Sequence, residues 1–138
     1  MTYQRILAPL KNDATDEAVV EHAGYVARLT GGEVTLVHVI HSHSRDEAAY
    51  REEQARLYLE RLARGLSARG VSTDTRVVQG EPADAISAVA REGKMDLIVM
   101  ATHGHSEVRH LIVGSVTEQV VRNGELPVLL VRPREDAG

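Results

Sequence analysis

The sequence predicts one α/β domain, an open parallel sheet of five strands with helices on both faces. Short apolar runs rich in β-branched residues alternate with longer segments of helical period, as in repeated strand–helix–strand units. The length of 138 residues is typical of a single domain, so we assign 1–138 to one unit. With no Phe or Trp, the core must consist of aliphatic side chains.

The first two strands are predicted over residues 3–9 and 33–40. A helix over residues 15–29 connects them. Asp13 is the expected N-cap of this helix, and Gly31-Gly32 is expected to end it. This unit predicts two neighbouring parallel strands covered by one helix.

The second helix is predicted over residues 46–69 and stops at Gly70. The strand that follows, residues 72–78, is too polar for burial on both faces, so we expect it at an edge of the sheet. The helix has one apolar stripe on a charged surface, formed by Ala55, Leu59, Leu62 and Leu66.

The second half of the chain begins with a helix that Pro82 opens and Gly93 closes. Residues 96–101 are apolar after the first residue, which predicts a central strand buried on both faces. A loop over 102–113 follows.

A last helix is predicted over residues 116–122, ended by Asn123-Gly124, and a last strand over Val128–Val131. This strand is apolar, and we expect it at the other edge of the sheet. An uncovered apolar edge invites pairing with a second chain, which gives modest physical support to a homodimer. Residues 134–138 look like a loose tail.

Composition excludes several classes of function. Asp plus Glu outnumber Lys plus Arg by 20 to 16, and the four tyrosines are scattered, so neither a phosphate-backbone footprint nor stacking platforms for nucleic acid are present. The absence of cysteine excludes disulfides and thiolate chemistry. With no apolar run long enough to span a membrane and no secretory leader, we expect no membrane association and a cytoplasmic location.

The loop after the fourth strand is the most informative segment for function. Gly104 is followed by nine residues and then by Gly114-Ser115, directly before a helix. Glycines and a helix N-terminus offer backbone donors that suit a phosphate chain. The pattern from Ser115 to Glu118 is equally that of a capping box, so a plain helix start remains an alternative.

Several segments resemble the universal stress protein family. They are VMATHG at 99–104, GSVTE at 114–118, PVLLV at 127–131, RILAP at 5–9 and LVHVI at 36–40. In nucleotide-binding members the pattern is Gly-x-x-Gly, nine residues, then Gly-Ser or Gly-Thr. The resemblance implies the strand order 3-2-1-4-5, an ATP or AMP site between strands 1 and 4, and a dimer paired through Val128–Val131.

Two residues depart from the family pattern. Ala101 occupies the position of the first glycine, where its methyl could crowd a ligand. Lys11 occupies the position of a nucleoside-binding Asp, and it can donate hydrogen bonds but not accept them. Lys11 could therefore weaken adenosine recognition, add a cation to an anionic ligand, or be a solvated loop residue. The resemblance implies a site formed by Pro9, Leu10, Lys11, Val39, Met100, Ala101, His103, Gly104, Gly114, Ser115, Val116 and Thr117.

The leading hypothesis is binding of ATP or AMP, with Mg²⁺ accompanying ATP, in a signalling or stress-response role. One alternative is an interaction module that has lost ATP binding. Another is a slow ATPase or nucleotidyltransferase, because Thr102 to His105 has the form Thr-x-Gly-His, although it follows the fourth strand and not the first. No general base is evident, so we assign no catalytic residue and leave enzymatic activity open.

Charged and imidazole side chains elsewhere have simpler explanations. His38 and His41 are three residues apart across a strand end, and the spacing of these residues and His43 fixes no carboxylate or fourth ligand, so we predict no metal site. The spacer of the glycine loop carries Arg109 and His110, together with His105 and Glu107; a solvated loop surface explains them, and Arg109 or a protonated histidine could alternatively face a phosphate.

Overall fold

A computed structural model describes residues 2–42, 44–102 and 114–133. Strands and helices alternate in the predicted order, with boundaries that differ from the prediction by one or two residues. The elements are β1 (Arg5–Leu10), α1 (Asp16–Thr30), β2 (Glu33–Ile40), α2 (Arg45–Ala68), β3 (Ser72–Gln79), α3 (Pro82–Glu92), β4 (Leu97–Ala101), α4 (Ser115–Asn123) and β5 (Val128–Val131).

The five strands form one parallel sheet in the order β3-β2-β1-β4-β5. The predicted fold class is therefore confirmed, including the strand order implied by the family resemblance. β3 and β5 are the two edge strands, as expected. β4 is buried along its whole length, because both faces of the sheet are covered.

Two aliphatic layers enclose the sheet, since alternate residues of each strand point to opposite faces. On one face, α1 and α2 pack Val19, Ala23, Ala27, Leu59 and Leu66 against Ile6, Ala8, Leu36 and Val99. On the other face, α3 and α4 pack Ile86, Val89 and Val120 against Leu7, Val37, Ile98 and Met100.

The predicted starts of β1 and β4 were two and one residues too early. At this point the Asp96 side chain bonds the beginning of β1. The backbone N–H groups of Gln4 and Arg5 donate to the Asp96 carboxylate at 2.9 and 3.1 Å. These donors therefore bond a side chain instead of a neighbouring strand. Tyr3, with a φ of 52°, is also outside the extended region.

The prediction that Asp13 caps α1 was wrong. Thr15 occupies the N-cap position, and Asp13 lies in the preceding turn, where its carboxylate accepts the Thr15 backbone N–H at 2.8 Å. The other end of α1 was predicted well, since Gly31 adopts a left-handed φ of 73°. The sequence reading missed Ser44, whose hydroxyl caps α2 by accepting the Glu47 N–H at 3.3 Å.

Across the described ranges, none of the helices combines the length and the hydropathy that a membrane span requires.

Candidate functional site

The carboxyl ends of β1 and β4 are not paired with each other. Their ladder comprises only Ile6 with Leu97 and Leu7 with Ile98, although each strand continues for three more residues. β1 and β2, by contrast, are paired from the first residue of β1 to the last. The strand order reverses between β1 and β4, and ligands of open α/β sheets bind at this switch point.

The predicted residues at the strand ends divide between the two faces of the sheet. Met100 and Val39 pack in the layer that α3 and α4 cover. Pro9 lies two residues after Leu7 on β1 and therefore on the same face. Leu10 and Ala101 lie in the layer beneath α1 and α2. The Ala101 methyl is therefore part of the core, 4% exposed, on the face opposite Met100.

The turn after β1 is held by Asp16, which the sequence reading did not select. The Asp16 carboxylate, 2% exposed, accepts the backbone N–H of Lys11 on one oxygen and that of Asn12 on the other, both at 2.8 Å. Asn12 adopts a left-handed φ of 65°, which asparagine tolerates better than most residues. Asp16 is also the first residue of α1, where a negative charge is favoured by the helix dipole.

Two further side chains complete this arrangement. The Tyr58 hydroxyl of α2 donates to Asp16 at 2.7 Å. Burial raises the pKa of Tyr58 and its hydrogen bond to Asp16 raises it further, so the phenol remains a donor at neutral pH. His38 Nδ1 lies 2.8 Å from the carbonyl oxygen of Leu10. A carbonyl can only accept, so Nδ1 carries the hydrogen.

Lys11 extends from this turn with its side chain exposed. It forms no ion pair with any residue that the structure describes. Its backbone is thus fixed by Asp16 while its ammonium group is available to an anion.

The start of α4 differs from the predicted capping box. Gly114 is the N-cap residue, Ser115 is the first helical residue, and no side chain caps this end among the described residues. Glu118 instead pairs with Arg122 one turn later at 2.6 Å. A Cβ at Gly114 would meet no atom of the described residues within 4 Å.

The Thr117 hydroxyl is the one side-chain polar atom that is both fully buried and without a hydrogen-bond partner among the described residues. Thr117 as a whole is 1% exposed. Such a group costs free energy, of order 1–3 kcal/mol in proteins, unless something outside the described residues bonds it. Ser115 beside it is exposed and Val116 is half-buried.

His103 and Gly104, like His43 and the rest of the glycine loop, lie outside the described residues, so their predicted roles stay predictions. Among the residues that are described, no three His, Asp or Glu side chains converge as metal ligands. His41 lies 3.6 Å from Glu81.

The sequence model of the universal stress protein family matches residues 2–132. Among individual relatives, universal stress protein MJ0577 of Methanocaldococcus jannaschii is 28% identical, over 94% of this chain and 95% of the relative. A putative universal stress protein of Staphylococcus haemolyticus, SH1215, is 31% identical over 98% of this chain and 88% of its own.

Solved structures give the same result. The structure of MJ0577 has a TM-score of 0.86 at 27% identity and covers 99% of this chain and 100% of its own. That of an Archaeoglobus fulgidus universal stress protein in complex with dAMP has a TM-score of 0.75 at 25% identity, covering 96% and 100%. Together with the strand order and the segments at its strand ends, these matches show that the chain belongs to the universal stress protein family.

Proposed function

We propose that this protein binds an adenine nucleotide, ATP or AMP, at the switch point between β1 and β4, and signals through occupancy of that site. One observation carries the proposal: the unpaired ends of β1 and β4 are accompanied by a helix start that no described side chain caps and by the buried Thr117 hydroxyl, which has no partner among the described residues. The helix start and the Thr117 hydroxyl cost free energy while the site is empty, and both can donate hydrogen bonds to a bound anion.

The chemistry of the helix start suits phosphate. The first N–H groups of α4 have no partner within the helix and carry a partial positive charge. Gly114 leaves space for close approach, and the Thr117 hydroxyl can donate to a phosphate oxygen. Val39 is half-buried and offers aliphatic surface for a base, whereas Met100 is 3% exposed and supports Val39 from within the same layer. The dAMP bound by the Archaeoglobus fulgidus relative supports this ligand class.

The role of the site is binding and not efficient turnover. Lys11, Ser115 and Thr117 are the polar side chains of the predicted site that the structure describes; all three can donate to an anion and none is a carboxylate base. Mg²⁺ arriving with ATP would be held mainly by phosphates and water, as is common for this ion.

The test is to strip the protein of copurifying small molecules, identify these by mass, and titrate with ATP, AMP and other nucleotides by calorimetry. Gly114→Val should abolish binding and leave the fold intact, since its Cβ meets no described atom. Gly65→Val is the matched control, because a Cβ at Gly65, in the last turn of α2, likewise meets no described atom within 4 Å.

A wild-type protein that binds no nucleotide at millimolar concentration refutes the proposal. It would favour the second candidate, an interaction module with an altered site, for which the exposed cation of Lys11 in place of an acceptor is the specific observation. Steady release of phosphate or pyrophosphate would favour the catalytic alternative.

We also propose that two copies pair through their β5 edges. Leu129 of β5 is 37% exposed, and Val121 of the adjacent α4 is 47% exposed. Leu129→Glu should convert a dimer to a monomer in light scattering at micromolar protein. Leu57→Glu, at an exposed leucine of α2, is the control and should leave the mass unchanged. A wild-type monomer would contradict this proposal.

A further inference from the structure

The turn of residues 10–12 is fixed by side chains from three different elements. The Leu10 carbonyl accepts from His38 of β2, and the N–H groups of Lys11 and Asn12 donate to Asp16 of α1. Tyr58 of α2 in turn donates to Asp16. Three consecutive residues at the end of β1 thus each have a backbone polar group bonded by a side chain.

The Asp16 carboxylate is fully engaged by these contacts. One oxygen accepts a single N–H at 2.8 Å, and the other accepts the second N–H and the phenol at 2.8 and 2.7 Å. Charge-assisted hydrogen bonds of this length are the strong class. A carboxylate that is 2% exposed would be costly without them, so carboxylate and turn require each other.

From this geometry we propose that Asp16 and Tyr58 are positioning residues for the nucleotide site. The proposal rests on the proposed function, because the turn borders that site at the end of β1. Asp16 holds the backbone of Lys11 and Asn12 in one conformation, and Tyr58 holds Asp16. The turn is then already ordered before the ligand binds. The entropy cost of ordering it does not reduce the binding affinity.

Neither residue needs to contact the ligand for this role. Asp16 is enclosed, with both oxygens occupied by protein donors. Tyr58 lies on α2 and acts on the turn through its hydrogen bond to Asp16. Their effect is on the Lys11–Asn12 backbone, which makes them distinct from the residues that the family resemblance implies.

The experiment combines amide hydrogen exchange with nucleotide titration of the full chain. Asp16→Asn keeps the shape of the side chain but replaces one acceptor oxygen with a donor, and Tyr58→Phe removes only the hydroxyl. We expect at least tenfold weaker ATP binding for Asp16→Asn, severalfold weaker binding for Tyr58→Phe, and faster amide exchange at Lys11 and Asn12 in both.

Controls separate positioning from general stability. Asp46→Asn alters an exposed first-turn acid of α2, and Tyr50→Phe an exposed tyrosine of the same helix; both should bind as wild type. Leu66→Val lowers stability at the far end of α2, where Leu66 packs at 1% exposure. It should retain affinity despite a lower Tm.

The outcomes are distinguishable. If wild type binds ATP and Asp16→Asn binds within twofold of it, or if Leu66→Val loses affinity in proportion to its Tm, the positioning proposal is wrong and the proposed function stands. If wild type binds no nucleotide, both are wrong, whatever the amide exchange shows. Unchanged exchange at Lys11 and Asn12 in Asp16→Asn would also overturn the positioning proposal.

Discussion

The two sides of the candidate site are built in opposite ways. At the turn after β1, the N–H groups of Lys11 and Asn12 are satisfied by the buried carboxylate of Asp16. At the start of α4, no described side chain caps the helix, and the hydroxyl of Thr117 is buried without a described partner. One side is therefore completed by the protein itself, and the other has donors left for a ligand.

This difference assigns a separate physical role to each side. Satisfied hydrogen bonds stabilise the folded protein before any ligand binds. Mutations at the turn should therefore lower the free energy of unfolding of the ligand-free protein. Unsatisfied donors lower the free energy of unfolding until a ligand bonds them. Mutations that remove these donors at the helix start should therefore raise the stability of the ligand-free protein and weaken ligand binding.

The largest effect is expected from Asp16→Ala. It leaves the Lys11 and Asn12 N–H groups and the Tyr58 hydroxyl without their acceptor, which should lower the free energy of unfolding by about 3 kcal/mol. Urea unfolding measures this. A loss below about 1 kcal/mol would mean that water replaces Asp16 easily and that the turn is not completed by the protein.

Thr117→Val should raise stability and weaken binding. Valine matches the shape of threonine without the partnerless hydroxyl, so the ligand-free protein should gain about 1 kcal/mol. Loss of one hydrogen bond to phosphate should weaken ATP binding about five- to tenfold. Thr30→Val is the contrast, because the Thr30 hydroxyl donates to Tyr3 O at 3.1 Å and its removal should destabilise. A destabilised Thr117→Val would show that its hydroxyl has a protein partner.

Lys11→Ala should distinguish charged ligands from neutral ones. An exposed cation contributes on the order of 1 kcal/mol or less to an anion nearby, so ATP binding should weaken a few-fold while adenosine binding stays the same. Repeating the titration at high salt should reduce the difference between the two proteins. Equal effects on ATP and adenosine would mean that Lys11 does not act through its charge.

The smallest effect is a pH dependence at the turn. Burial and the Asp16 bond raise the pKa of Tyr58 above its ordinary value of 10.0, and Arg61 beside the ring opposes this only in part. The folded protein thus binds the phenol proton more tightly than the unfolded chain. The stabilisation is complete below pH 10 and is lost as pH rises above it. Tyr58→Phe should lack this loss in unfolding curves; a profile parallel to that of wild type would contradict the assignment.

Local patterns were sufficient to predict the elements and the fold class, whereas the full strand order was implied by the family resemblance. Alternating apolar runs set the order of strands and helices, Pro82 began α3, and Gly31 ended α1 in the left-handed conformation. The polar composition of residues 72–78 placed β3 at an edge. Each of these signals acts within a few residues, so the sequence alone reveals it.

The site was less predictable because its contacts join distant segments. Asp16 and Tyr58 are 42 residues apart, and no spacing rule connects them. The pattern from Ser115 to Glu118 fits a capping box, but the helix begins one residue earlier than a box requires, with Gly114 and not Ser115 as the N-cap, and Glu118 pairs with Arg122. Local sequence allows both arrangements, and only the packing of α4 selects one.

The two edge strands of the sheet, β5 and β3, differ in whether they can pair with another copy of the chain. β5 is short and apolar, whereas β3 runs for eight residues and carries Asp74 and Arg76. An apolar edge strand such as β5 can pair with another chain, whereas charged side chains on an edge strand such as β3 disfavour pairing. Two copies that join β5 to β5 would present only their polar margins outward. Such a pair would be a closed, two-fold assembly. Its joined sheet would end on both sides in a polar edge strand, so further copies would not add to form a filament.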